Sequence, residues 1–282
     1  MKRHLLAIGV VFFLMAGTAA AGDYIVPAFA FNLRGHSKNL WTSEIYLANP
    51  GQSPVIVDPP TVLRGSVVLP EQICLPPMRQ LVVAPHSSLV WKAEDIAREM
   101  GCAVEIVGAL EFTTDGPLSV GSRMINRANV AGTSTVAAPL SGFSQELPGV
   151  NVADLPPAGQ GLMLPTMIWD QNSCAPPKFD SYVGFANPSD EVVHVTLSLS
   201  PALNADGIML GGSEVQLPAV VELAPNSWQQ LHVAPVVPQG DECSEPQVFD
   251  LFLDADGPLA VYGSVVDRAT QDPRTVTPLE LH

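Results

Sequence analysis

Asp254-Ala255-Asp256-Gly257 has the alternating carboxylates and the glycine that open a calcium loop, with Asp250 and Asp267 close enough in sequence to add oxygen ligands. The remaining spacing and the terminal glutamate of an EF-hand do not follow, and the simpler reading is an Asp-Gly-Pro turn. Calcium at Asp254 and Asp256 is the one cofactor the residues raise, and no other is expected. His36, His86, His194, His232 and His282 fall at turns, on polar faces or at the terminus, where histidine is ordinarily a surface residue. No G-x-S-x-G, H-E-x-x-H, Walker loop or G-x-G-x-x-G occurs, which removes the recognisable serine hydrolases, zincins and nucleotide enzymes. A hydrolase would have to assemble its nucleophile, base and orienting group from distant strands.

Sugar-binding sandwiches stack exposed rings on the pyranose. Trp41 and Trp228 are the candidates, Trp41 aligning with Phe179 of the second half and Trp228 having no tryptophan counterpart in the first. An aromatic content of only 6% weighs against such a platform. Cys74, Cys102, Cys174 and Cys243 are an even number, which in an exported chain favours disulfides over metal ligation, and the absence of any C-x-x-C pair argues against zinc. Three connectivities are possible. Pairing within each half, Cys74–Cys102 and Cys174–Cys243, is the expected one, each bridge contributing about 3 kcal/mol by restricting the unfolded chain.

Export is itself read from the N-terminus. Lys2 and Arg3 precede an apolar run from Leu5 to Met15 and a close at Ala19-Ala20-Ala21, the order of a cleavable secretory signal, so the mature chain is expected to start at Gly22. No later stretch is long and apolar enough to anchor the chain in a bilayer. The formal net charge is −15, and loss of Lys2 and Arg3 makes the mature chain two units more negative. Such a charge repels nucleic acid and anionic lipid. With 47% apolar residues and 27 prolines, the chain is neither disordered nor a helical bundle.

An internal repeat sets the architecture. At an offset of 138, Ser43-Glu44-Ile45-Tyr46-Leu47-Ala48-Asn49-Pro50 lies over Ser181-Tyr182-Val183-Gly184-Phe185-Ala186-Asn187-Pro188, and Val26-Pro27 over Leu164-Pro165. At 140, Ala84-Pro85-His86-Ser87 meets Ala224-Pro225-Asn226-Ser227; at 141, Asp115-Gly116-Pro117-Leu118 meets Asp256-Gly257-Pro258-Leu259. Landmarks in one order imply duplication. Val193, Val195, Leu197 and Leu199 alternate with His194, Thr196 and Ser198, the period of a half-buried strand; Phe249, Leu251 and Leu253, and Gly108, Leu110 and Phe112 in the first half, do the same. Short strands with Gly/Pro turns predict an all-β chain of two tandem sandwich modules, residues 22–128 and 163–282, joined by a Pro/Gly-rich linker over 129–162. Residues 93–100, stopped by Gly101, are the one good helix candidate.

At these landmarks the chain resembles a group of repeat modules in secreted proteins of environmental bacteria, carried here by Trp41-Thr42-Ser43, Ala48-Asn49-Pro50, Ala84-Pro85-His86-Ser87, Gly108-Ala109-Leu110 and Gly121-Ser122-Arg123. The resemblance covers nearly the whole mature chain. It implies an Ig-like β-sandwich and export, and it transfers no catalytic residue; the second half carries Ser264 where the first has Arg123. The expectation is a non-enzymatic structural or interaction protein, extracellular or periplasmic, that meets an extracellular protein or a surface glycan and neither nucleic acid nor a membrane interior. A carbohydrate-binding module is the first alternative, a hydrolase with a dispersed site the second.

Overall fold

The computed structural model describes residues 21–34, 40–65, 67–69, 79–99, 105–127, 144–169, 178–201, 220–233, 247–268 and 273–281. The signal segment and Cys74, Cys102, Cys174 and Cys243, with the pairings expected of them, lie outside these residues. The first half runs β1 (Gly22–Phe31), β2 (Leu33–Arg34), β3 (Leu40–Asn49), β4 (Val55–Val57), β5 (Thr61–Val62), β6 (Val67–Leu69), β7 (Leu81–Val83), β8 (Ser87–Lys92), helix α1 (Ala93–Glu99), β9 (Glu105–Thr114), β10 (Ser119–Arg127), β11 (Ser144–Pro148) and β12 (Val150–Asn151). The second half runs β13 (Leu162–Trp169), β14 (Phe179–Asn187), β15 (Val193–Pro201), β16 (Val220–Leu223), β17 (Ser227–His232), β18 (Gln247–Ala255), β19 (Ala260–Asp267), β20 (Pro273–Val276) and β21 (Leu279–Glu280).

The chain is an all-β sandwich protein with four antiparallel sheets. In the first half a seven-stranded sheet, β12-β1-β9-β4-β7 with β5 and β6 also on β9, faces the five-stranded sheet β11-β10-β3-β2, with β8 on β3. The second half pairs β21-β13-β18-β15-β16 with β20-β19-β14-β17. Strand order therefore matches from one half to the other: β1 corresponds to β13, β3 to β14, β9 to β18 and β10 to β19. Period-two alternation is realised in β15, where Val193, Val195 and Leu197 are buried and His194, Thr196 and Ser198 are exposed. Within 129–162, read from composition as a linker, β11 and β12 are strands of the first half's two sheets, pairing with β10 and β1. Their run of five and two residues is too short and too polar to give a periodic signal. Helix α1 forms where the sequence predicts one, burying Ala93, Ile96 and Ala97.

Each repeated landmark is a hydrogen-bonding device. Asn49 donates its amide to the Ser53 and Val83 carbonyls, at 2.8 and 2.9 Å, and accepts from Gly51 N; Asn187 does the same with Glu191, Leu223 and Ser189 N. These buried amides tie three segments together, so Asn-Pro ends the strand with its polar groups satisfied. In Ala-Pro-x-Ser, the serine hydroxyl donates to the alanine carbonyl, and the third residue, His86 or Asn226, sits at φ near +50°, a conformation asparagine tolerates. Asp115 and Asp256 each accept the backbone N–H of Ile56 and His194, closing the Asp-Gly-Pro turn onto the neighbouring strand.

Proline also breaks the ladder. Pro27 and Pro165 lack an N–H, and the register of β1 on β9 and of β13 on β18 shifts between Val26 and Phe29 and between Leu164 and Met167. The second bulge is satisfied locally: Thr166 N–H donates to Asp250 at 2.9 Å and Arg274 donates to the Thr166 carbonyl. The first is satisfied by the other half, because Trp228 Nε1–H donates to the Pro27 carbonyl at 3.0 Å across 201 residues.

That contact sits in a third core between the halves, where Ile25, Leu63, Ala109, Ala186, Trp228 and Ala260 bury the outer face of the seven-stranded sheet against the outer face of the four-stranded one. The segment after β5 crosses over as well: Arg64 N–H donates to Asn226 O and Trp228 N–H to Arg64 O. Gly65, at φ +83°, is required there, since a Cβ would stand 2.3 Å from the Trp228 carbonyl. The four sheets thus form one stack, with a core inside each half and two buried clusters between the halves. Trp228→Phe keeps the apolar ring but leaves the buried Pro27 carbonyl without its donor, which costs about 1–3 kcal/mol. In urea, both halves are expected to unfold in one transition at a lower midpoint; two separate transitions, only one of them shifted, would show the halves to be independent.

Candidate functional site

The residues singled out for chemistry do not converge. Trp41 and Trp228 are only 8% and 7% exposed, so neither offers a ring face on which a sugar can stack. Trp228 is held by the contact between the halves, and Trp41 lies within the sheet, paired with Asn126 and Leu33. Asp254 is exposed, while both oxygens of Asp256 are engaged by His194, Oδ1 by its backbone N–H and Oδ2 by Nδ1 at 2.9 Å. These hydrogen bonds, the backbone one first, hold the Asp256 carboxyl below its usual pKa. Asp250 serves the Thr166 bulge and Asp267 pairs in register with Phe179 on β19 and β14. Among the described residues, no three His, Cys, Asp or Glu side chains gather as metal ligands.

One titratable cluster does form, on the outer face of the four-stranded sheet. Arg268 grips both oxygens of Asp180, through Nε at 2.5 Å and Nη2 at 2.6 Å, His232 Nε2 stands 3.1 Å from Asp180 Oδ1, and the Tyr182 and His232 rings lie 5.0 Å apart. The adjacent Ser181 is buried on the other face, with its hydroxyl bonded to the Ile168 backbone, so it does not serve this carboxylate–histidine pair as a nucleophile. The cluster ties β14 to β17 and to the end of β19.

The open surface lies on the first half. On the outer face of its five-stranded sheet, cross-strand register sets Tyr46, Gly121 and Pro148 in one row and Glu44, Arg123 and Glu146 in the next. Gly121 is the gap in the first row: a Cβ built on it meets no atom within 4 Å. The result is an open groove of about 580 Å³ lined by Tyr46, Gly121, Ser122, Glu146, Leu147 and Pro148. Tyr46, 36% exposed, does not cover the glycine, because its hydroxyl donates to Glu44 Oε2 at 2.8 Å. Partial burial and the Glu44 carboxylate raise the phenol pKa, with Arg123 pulling it down. The Nε of Arg123 is buried and has no acceptor. Sequence alone did not find this groove, since Tyr46 and Gly121 become neighbours only through strand register. Val90, 47% exposed, stands opposite Tyr46 on β8 and extends the apolar margin.

The corresponding face of the second half is closed. Gly184 and Tyr262 pair across β14 and β19 at the positions of Tyr46 and Gly121, with tyrosine and glycine exchanged. There the face is pressed against the first half, and Tyr262 packs with Ala28 and Leu147. Burial holds the Tyr262 phenol far above its usual pKa, only partly offset by the hydrogen bond from Gln230. The chain matches no family model, no curated protein and no solved structure. Among the described residues, no helix is long and apolar enough to cross a membrane.

The Asp180 cluster makes a pH prediction. Burial raises the carboxyl pKa, but the Arg268 hydrogen bonds and charge, and then His232, outweigh it, so the folded value lies below that of an ordinary aspartate. A depressed folded pKa contributes stability above the unfolded value that disappears as pH falls through the folded one. Wild type should therefore be more stable than Asp180→Asn at pH 6, with the difference in urea midpoint shrinking as pH drops below about 4. A difference that stays constant from pH 6 to 3 would remove the assigned coupling.

Proposed function

We propose that the chain is a non-enzymatic exported interaction protein, two copies of one sandwich module packed as a single stack, acting through the free face of the first copy. The observation that carries this reading is the groove over Gly121, an open concavity on the one module face whose counterpart in the second half is already occupied by protein. The buried contact between the halves supports it: a packed stack presents that face pre-organised, which binding surfaces exploit by avoiding ordering costs. The secretory signal pattern, the acidic balance and the resemblance to modules of secreted bacterial proteins support a place in the periplasm or outside the cell. The shared strand order and the paired Asn, Ser and Asp hydrogen bonds support duplication as the origin of the halves.

A carbohydrate-binding role is the second reading, and Tyr46 favours it: an exposed ring beside Glu44, Arg123 and Glu146 has the combination of apolar face and polar rim that sugar sites use. The purified chain should turn over no substrate in a broad panel of esters, peptides and glycosides. Turnover would overturn the non-enzymatic reading. On a glycan array, with and without calcium, saturable binding lost in Tyr46→Ala would establish the carbohydrate reading. Binding that needs calcium and disappears in Asp254→Asn would instead return the carboxylates of β18 as a site.

A further inference from the structure

We propose that the groove over Gly121 receives the ring of a tyrosine side chain supplied by a partner polypeptide. This rests on the interaction reading and names the chemistry of its site. The argument begins with the exchanged pair. On β3 and β10 the cross-strand neighbours are Tyr46 and Gly121; on β14 and β19 the same positions hold Gly184 and Tyr262. The second half shows what a glycine in this row is for. Its strand leaves a hollow one side chain deep, and the Tyr262 ring lies in it: a Cβ on Gly184 would stand 1.9 Å from ring atom Cε1 and 2.3 Å from Cζ. The phenol oxygen there accepts a hydrogen bond from Gln230 Nε2 at 2.9 Å. A tyrosine laid flat over a strand glycine recovers the cross-strand packing that the glycine lacks.

In the first half the glycine stands on the other strand of the pair, between Tyr46 and Pro148, and its hollow is open. Among the described residues, no atom lies within 4 Å of the Cβ position of Gly121, and the ring of its cross-strand neighbour Tyr46 is turned to the Glu44 carboxylate. A ring supplied by a partner fits the space that Tyr46 leaves over Gly121. Tyr46 and Pro148 provide apolar walls on either side of the floor, and offset ring packing against Tyr46 adds to the burial. The groove volume exceeds one ring, so the residues flanking the tyrosine of an extended segment also fit along β10.

The test uses the 15N-labelled purified chain titrated with N-acetyl-tyrosinamide, N-acetyl-alaninamide and methyl glucoside. N-acetyl-tyrosinamide should move the Ser122 and Leu147 amides saturably, with a Kd on the order of millimolar for so small a ligand, and N-acetyl-alaninamide should not. Gly121→Leu fills the hollow from the strand side and should weaken this binding at least tenfold with an unchanged spectrum elsewhere. Tyr46→Ala removes one wall without touching the floor, and should weaken binding several-fold. Absence of saturable shifts, equal shifts from the alanine analogue, or tyrosine binding indifferent to Gly121→Leu would each overturn the proposal. Preference for the glucoside would overturn it in favour of a sugar site. None of these outcomes requires turnover, which alone defeats the non-enzymatic reading.

Discussion

The carbonyl of Pro27 is the point on which the architecture turns. Proline has no N–H to continue the ladder, so β1 slips its register against β9 and the carbonyl leaves the sheet. A buried carbonyl needs a donor, and the donor comes from Trp228 in the other half of the chain. The indole brings its apolar body with it, and the surrounding Ile25, Leu63, Ala109, Ala186 and Ala260 complete a core that belongs to neither sandwich alone. One residue's missing proton thereby leaves an acceptor that the second half satisfies where it packs on the first.

That docking divides the sheet faces unequally. The second half gives up the outer face of its four-stranded sheet, and its glycine hollow is filled by its own tyrosine. The first half gives up the outer face of its seven-stranded sheet and the edge strand β11, and among the described residues the hollow over Gly121 stays open. The same hydrogen-bonded scaffold thus carries one closed and one open version of the same cross-strand pair.

Much of this scaffold was legible in the sequence, because a turn that needs an Asn, Ser or Asp side chain at a fixed place leaves that residue visible at a fixed offset. Asn49 and Asn187, Ser87 and Ser227, and Asp115 and Asp256 each do the same work in each half. The strands β15 and β18 were legible for a similar reason, their alternation being set by one wet and one dry face. What was hidden depends on register or on distant contact. β11 and β12 are too short for periodicity, Trp228 looks like any unmatched ring until Pro27 is brought beside it, and Tyr46 with Gly121 is a pair only once β3 and β10 are aligned. The stacking role considered for Trp41 and Trp228 fails on the same ground: an indole absent from the other copy is as consistent with a unique internal contact as with an exposed platform.

The end of the stack is as specific as its middle. One module face resting on the opposite kind of face of the next is a contact that, repeated, would run on without closing. In the second half the position of Ala109 is taken by Asp250, whose carboxylate holds the Thr166 N–H, and Arg274 occupies the Thr166 carbonyl. That face therefore presents a carboxylate and a guanidinium where the first half presents the small apolar Ala109. The bulge at Pro27 is satisfied by the other half, and the one at Thr166 is satisfied within its own half.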